Sequence, residues 1–229
     1  MSATALPPSG DVPTGQKTCD ASGMAEIHRV FKAGFGEGHA LVEGVDDGDL
    51  AHAAVVAENF ATLSTTLHAH HEGEDERLWS TLEERAPGCS AHIERMKAHH
   101  AQLLVHLNAL DAALPAWRGS ASTADAWPVL AAIDGINEAL AIHLPDEEAT
   151  IVPVMEVTMT PAEVDWFSEH GRRSVPKGQT WNQLGAILAS QPDGGEEWAH
   201  KHLPAPARLA WRWIGKPRYE KHRAALEAR

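Results

Sequence analysis

Cysteine, tyrosine, positive charge and long apolar runs are what this chain has least of, and each scarcity excludes something. Its 229 residues hold two cysteines, Cys19 and Cys89, with no CxxC between them. That leaves neither a disulfide framework nor a cysteine-rich zinc site, and a reducing compartment is expected. The single tyrosine, Tyr219, lies far along the chain from the other chemistry-bearing residues, which argues against a tyrosyl radical. No apolar run approaches the ~20 residues needed to span a bilayer. The opening MSATALPPSGDVPTGQ lacks the charged start and apolar stretch of a secretory signal. A cytoplasmic protein is expected, with residues 1–21, rich in Pro, Gly and Ser/Thr, disordered.

Lys and Arg number 19 against 32 Asp and Glu, a net charge of −13. This excludes general affinity of the body for nucleic acid, and neither a nucleic-acid nor a membrane partner is expected. The deficit is uneven. From Lys201 onward eight Lys/Arg face two acids, so the tail carries about +6 and the rest about −19. The simplest expectation packs the basic tail against the acidic body; an anionic membrane surface or a nucleic acid is the alternative for the tail.

Histidine, with 15 copies, is abundant. Four segments show the apolar period of one helix face. They run Met24, His28, Phe31, Phe35 and Val42; then Val56, Phe60, Leu63, Leu67, His70, Glu74, Leu78 and Leu82; then Ile93, Met96, His100, Leu103, Leu107 and Leu110; then Ile133, Ile136, Leu140, His143, Glu147, Ile151 and Val154. GVDDGD, with Asp49 as an N-cap, APGCS and WRGSASTAD separate them. Short links make neighbours antiparallel, so the fold class is all-α, an up-down four-helix bundle over residues 22–158. His or Glu interrupts every stripe where an apolar residue would be cheap to bury. At about 1.5 Å per residue, the four stripe histidines fall at a similar height.

The chain also repeats itself. His28 precedes His70-x3-Glu74 by 42 residues, and His100 precedes His143-x3-Glu147 by 43; HHEGEDERLW answers HLPDEEATIV. Five His-x3-acid pairs occur where composition alone gives about two, so the signal is the placement of two of them on core stripes. Residues i and i+4 share a helix face. A carboxylate there can bridge two cations while each imidazole binds one, and such a mixed donor set suits iron better than a closed zinc site. His71 borders the second stripe and His99 adjoins the third; His68 and the acids Glu72, Asp75 and Glu76 belong to a solvated face, the alternative being that one of these acids backs a ligand. His39 with Glu43 is an exposed pair far from the site, and His52, His92, His106, His170, His200, His202 and His222 default to the surface.

EIHRVFK, HHEGEDERLW, KAHHAQLL and HLPDEEATIVPV together resemble the hemerythrin-like, or HHE cation-binding, family. The resemblance implies a di-iron centre held by His28, His70, Glu74, His100, His143 and Glu147, and binding or sensing of oxygen, nitric oxide or iron. The invertebrate oxygen carriers have His-x3-His in the third helix, whereas Leu104 stands four residues after His100. A fifth histidine would then be His71, with His99 behind it. The alternative is a di-iron enzyme acting on peroxide or oxygen. A DinB-like single-metal thiol transferase is weaker, because it leaves both stripe glutamates without a role. Ferritin-like enzymes need two Glu-x-x-His motifs in the bundle, and the one present, Glu197 to His200, lies outside it.

Past residue 158 the chain changes. TPAEVDWFSEHGRRSVP opens with a helix start signal, WNQLGAILAS reads as a second helix, and PAPARLAWRWIGKPRYEKHRAALEAR as two more. This resembles the helical extension of some bacterial members, expected to cover one end of the bundle with Trp166, Trp181, Trp211 and Trp213 as anchors, or to act as a lid or a partner surface.

Overall fold

The computed structural model describes residues 15–228, and all regular elements among them are helical. The first bundle helix is α1 (Gly23–Gly36), continued by the short α2 (Gly38–Val42). The second is α3 (Leu50–Gly73), a π-helical turn (Glu74–Leu78) and α4 (Trp79–Arg85). The third is α5 (Ser90–Ser120), and the fourth is α6 (Thr123–Thr150) followed by α7 (Val152–Thr158). Asp49 accepts from the backbone N–H groups of Ala51 and His52 and starts α3, as a short acid at an N-cap does. Ala121, in the left-handed conformation at φ 51°, ends α5, and the Ser122 hydroxyl caps α6 by accepting from Asp125 N–H. The third link is thus two residues long, shorter than WRGSASTAD suggests.

Around the bundle α6 packs on α5, α5 on α3, and α1 closes the ring against α6 and α3. Every apolar residue of the four stripes is buried, and the cores above and below the histidine level are distinct. Phe31, Phe35, Phe60, Leu67, Leu103, Leu140 and Ile136 lie on one side. Leu78, Leu82, Ile93, Met96, Ile151 and Val154 lie on the other. A polar layer is sandwiched between two apolar plugs.

Two expectations about the ends need correction. Disorder was expected over residues 1–21; residues 1–14 lie outside the described residues, but residues 17–21 are anchored. Thr18 N–H donates to the Glu156 carbonyl at 2.7 Å, and Cys19 and Ala21 are buried beside α7. Backbone pairing with α7 and burial of two small side chains outweigh a composition that reads as loop.

The extension comprises α8 (Pro161–Ser174), α9 (Thr180–Ser190), α10 (Glu196–His202), and a final run of α11 (Ala205–Ala210), a π-helical turn (Trp211–Gly215) and α12 (Lys216–Leu226). Residues 205–226 therefore form one continuous helical run rather than two separate helices. Nor does the extension cap an end. α8 lies on α3, α9 on α1, and α12 on α3 and α9, so it clothes the α1–α3 side lengthwise. Arg85 holds Glu163 at 2.7 and 2.9 Å at one end, and His52 Nε2 meets the Leu226 carbonyl at 2.9 Å at the other. His52, expected at the surface, is buried by this contact. Trp166, Trp181 and Trp211 are half-buried anchors, whereas Trp213 is 68% exposed. The docking side of the final run is formed by Trp211, Gly215 and Tyr219, four residues apart, and Trp213 points away from it.

Candidate metal centre

All six histidines and glutamates singled out by the stripes meet in one layer. His28, Glu74, His100, His143 and Glu147 are buried, and His70 is nearly so. Together with His71 they form two groups, within each of which the donor atoms lie within 4.8 Å of one another: His71, Glu74, His100 and His143, and His28, His70 and Glu147. His28 Nε2 is 3.3 Å from His70 Nε2, and His71 Nε2 is 3.2 Å from His143 Nε2. Two imidazole nitrogens at right angles on a common ion, each about 2.1 Å from it, stand about 3.0 Å apart. The spacing therefore matches donors aimed at a shared point.

The carboxylates join the groups. Glu74 Oε1 lies 3.2 Å from His70 Nε2 and its Oε2 lies 3.4 Å from His100 Nε2. Glu147 Oε2 lies 3.3 Å from His28 Nε2 and 3.5 Å from His143 Nε2. Yet all four carboxylate oxygens, and His100 Nε2, are buried without a hydrogen bond. Buried polar atoms left orphaned cost free energy; so many in one layer are explained by a cation, which these donors fit.

The backbone around the two glutamates is irregular. The π-helical turn begins at Glu74, and Trp79 N–H donates to the Glu74 carbonyl five residues back. Such single turns recur at functional sites because they rotate the later side chains relative to the preceding ones. In the fourth helix Pro145, between His143 and Glu147, removes one helical N–H donor.

The ring nitrogens facing away from the layer reveal what the sequence reading missed. His28 Nδ1 meets Glu148 Oε1 at 2.9 Å, and His100 Nδ1 meets Asp75 Oδ1 at 2.9 Å, with Trp79 Nε1 donating to the same Asp75 oxygen at 2.7 Å. Asp75, assigned above to a solvated face, instead orients an imidazole, as acids behind metal-bound histidines do. Glu148 went unnoticed. The signal was in the repeat itself: Glu74-Asp75 in one half answers Glu147-Glu148 in the other. His99 joins neither group; its ring is edge-on to His143 at 5.9 Å. His170, also expected at the surface, stacks on Trp166 and both lie over Gly73, where a Cβ would come within 3.2 Å of the imidazole.

Electrostatics divide the layer. Burial alone would push His28 and His100 down. Glu147 and Glu148 beside His28, and Asp75 and Glu74 beside His100, override it and hold them at about 9 and about 10. Burial, with Glu147 as a second negative charge, raises Glu74 to about 8. Burial also lowers His143 to about 4, and His70 and His71 fall well below 6.5, helped by neighbouring His28 and His100. The raised groups stabilise the metal-free fold at low pH and lose that contribution as pH rises through their folded values. The lowered histidines do the reverse, losing theirs as pH falls below 6.5. Metal-free protein is therefore expected to be most stable near pH 6.5, declining on both sides; urea melts across pH would show it, and a steady rise in stability to pH 9 would contradict it. A cation held by these donors would compete with the protons on His28, His100 and Glu74, so loading is expected to tighten over the alkaline arm.

Among the described residues no helix is long and apolar enough to cross a membrane. No curated protein and no solved structure matches the chain. Residues 20–155 match the family model described as the hemerythrin HHE cation binding domain. That match spans more than half of the chain and contains both donor groups, and the chain belongs to the hemerythrin HHE cation-binding family.

Proposed function

We propose that the chain binds two iron ions in this layer and uses them to bind or sense a small ligand: oxygen, nitric oxide or iron itself. His28 and His70 would serve one ion, His71, His100 and His143 the other, with Glu74 and Glu147 spanning both. The observation that carries this is the pair of donor groups joined by two buried carboxylates whose oxygens make no hydrogen bond. A single-metal site would use the group with three histidines and leave His28, His70 and Glu147 without a purpose. Bound iron supplies affinity for diatomic ligands and for peroxide. The protein's part is to exclude water and fix the donors: apolar plugs lie above and below, and Asp75 and Glu148 hold two imidazoles in place. His71 takes the place of the histidine lacking at Leu104, so the two-histidine group has fewer protein donors and is the side left for an added ligand. Its residue His70 packs against Phe31, with ring centroids 5.4 Å apart. The extension brings no tyrosine to the layer, since Tyr219 packs on Gly185.

Absorption spectra of the ferrous protein under nitrogen, then air, nitric oxide and peroxide, test the reading. A new band that is reversed by removing the gas is the expected result. Sustained consumption of peroxide or oxygen would favour the enzyme instead, and spectra indifferent to all three would overturn the gas-binding and the enzyme readings alike.

A further inference from the structure

The basic tail is only partly spent on the acidic body. Arg223 holds Glu37 at 2.6 and 2.8 Å, and Lys201 meets Glu26 and Asp20 at 3.1 and 3.0 Å. Lys216 lies 3.8 Å from Glu220. Arg212, Arg218 and Lys221 have no carboxylate partner among the described residues, on a chain whose net charge is −13. The same stretch, LAWRWIGKPR, exposes large apolar side chains: Leu209 at 58%, Trp213 at 68% and Ile214 at 47%. Arg212 sits 5.5 Å over the Trp213 ring.

On the opposite side of the helix Gly215 is buried against the Trp181 and Trp211 rings, Tyr219 lies over Gly185, and Leu226 is buried. Folding thus fixes one side of the run and leaves indole and aliphatic groups in water beside unpaired cations. Leu209, Trp213 and Ile214 are all exposed within six residues of one helical run, and concentrated exposed apolar surface marks interaction sites.

We propose that this face docks on an anionic lipid surface. Trp at a water–hydrocarbon boundary keeps its N–H hydrated while its ring is buried, and flanking Arg and Lys meet the headgroup phosphates. A nucleic acid would use the cations but not Leu209 and Ile214. A second copy binding through the same face would set Arg212, Arg218 and Lys221 against their own duplicates. Binding is peripheral, and the inference does not rest on the iron reading.

Co-sedimentation of the full-length protein with phosphatidylcholine vesicles, with and without phosphatidylglycerol, tests it. The protein should pellet with the anionic vesicles, and Trp213→Ala should weaken that binding. Arg212→Ala combined with Arg218→Ala should lower partitioning about thirtyfold, at roughly 1 kcal/mol per basic residue. Trp127→Ala, at a residue also exposed (70%) but on α6, is the control and should bind as the parent does. Equal pelleting with both vesicle types would overturn the proposal, as would equal losses in the Trp127 and Trp213 variants. Retention on duplex DNA without vesicle binding, or a dimer abolished by Trp213→Ala, would overturn it in favour of those partners. All substituted positions are exposed, and matching circular-dichroism melts confirm that the variants fold.

Discussion

Glu74→Gln is expected to leave the metal-free protein folded and nearly as stable at neutral pH, while bound iron falls from two ions per chain to one or none. The reasoning starts from burial. Glu74 is fully buried and shares the layer with Glu147, and burial with that second negative charge pushes its carboxyl up toward the neutral form in the metal-free protein. Glutamine has the same shape and the same charge as that neutral acid. The change should therefore cost no more than about 1 kcal/mol, as a swap that neither opens a cavity nor buries a new charge does. Iron is affected differently, because a carboxylate donates two anionic oxygens and an amide does not. Loss of an acid that merely orients a ligand weakens metal binding about 10–100-fold, and loss of a spanning carboxylate should exceed that. Iron per chain after desalting, read beside a urea melt, checks both halves. Two irons retained at parental affinity would contradict the spanning role; a collapsed melt would show that Glu74 supports the fold itself.

Phe31→Ala should produce the largest loss of stability. The ring is fully buried, lies in the core plug beneath the layer, and packs against His70. Truncating a buried Phe removes its transfer free energy and leaves a cavity, together worth about 3–5 kcal/mol. For a domain of this size that lowers the melting temperature by about 10 °C. Because His70 then loses its packing partner, the two-histidine group should also bind its ion less tightly, and added iron should restore less of the lost stability than in the parent. Thermal melts with and without ferrous iron measure this. A shift of under about 3 °C would mean that neighbouring side chains refill the site.

Much of the layer was legible because burial repeats with the helical period. Leu67, His70, Glu74 and Leu78 share a face whatever the neighbours are, and the 42- and 43-residue offsets place the corresponding turns of two helix pairs opposite each other. What periodicity cannot say is which neighbouring helix covers a stripe's flanks. His70 and His71 are about 100° apart on the helix, and both turn inward. One flank faces His28 on α1, the other His100 on α5. Asp75 was misassigned for the same reason, compounded by the π-helical turn that starts at Glu74 and rotates the residues after it. Glu148 was recoverable from the repeat, because the match between the halves extends one residue past Glu147. The course of the extension was the least legible. Its helices are short, and their docking depends on Gly185 and Gly215 accepting the Tyr219 and Trp181 rings, contacts between segments that no local pattern connects.

One layer is expected to hold two ions rather than one. Titration of metal-free protein with ferrous iron under nitrogen, followed by iron and protein analysis after desalting, tests it most directly. Saturation at two irons per chain is expected, falling in both Glu74→Gln and Glu147→Gln. Saturation at one iron, carried by His71, His100 and His143 and indifferent to His28→Ala, would contradict it.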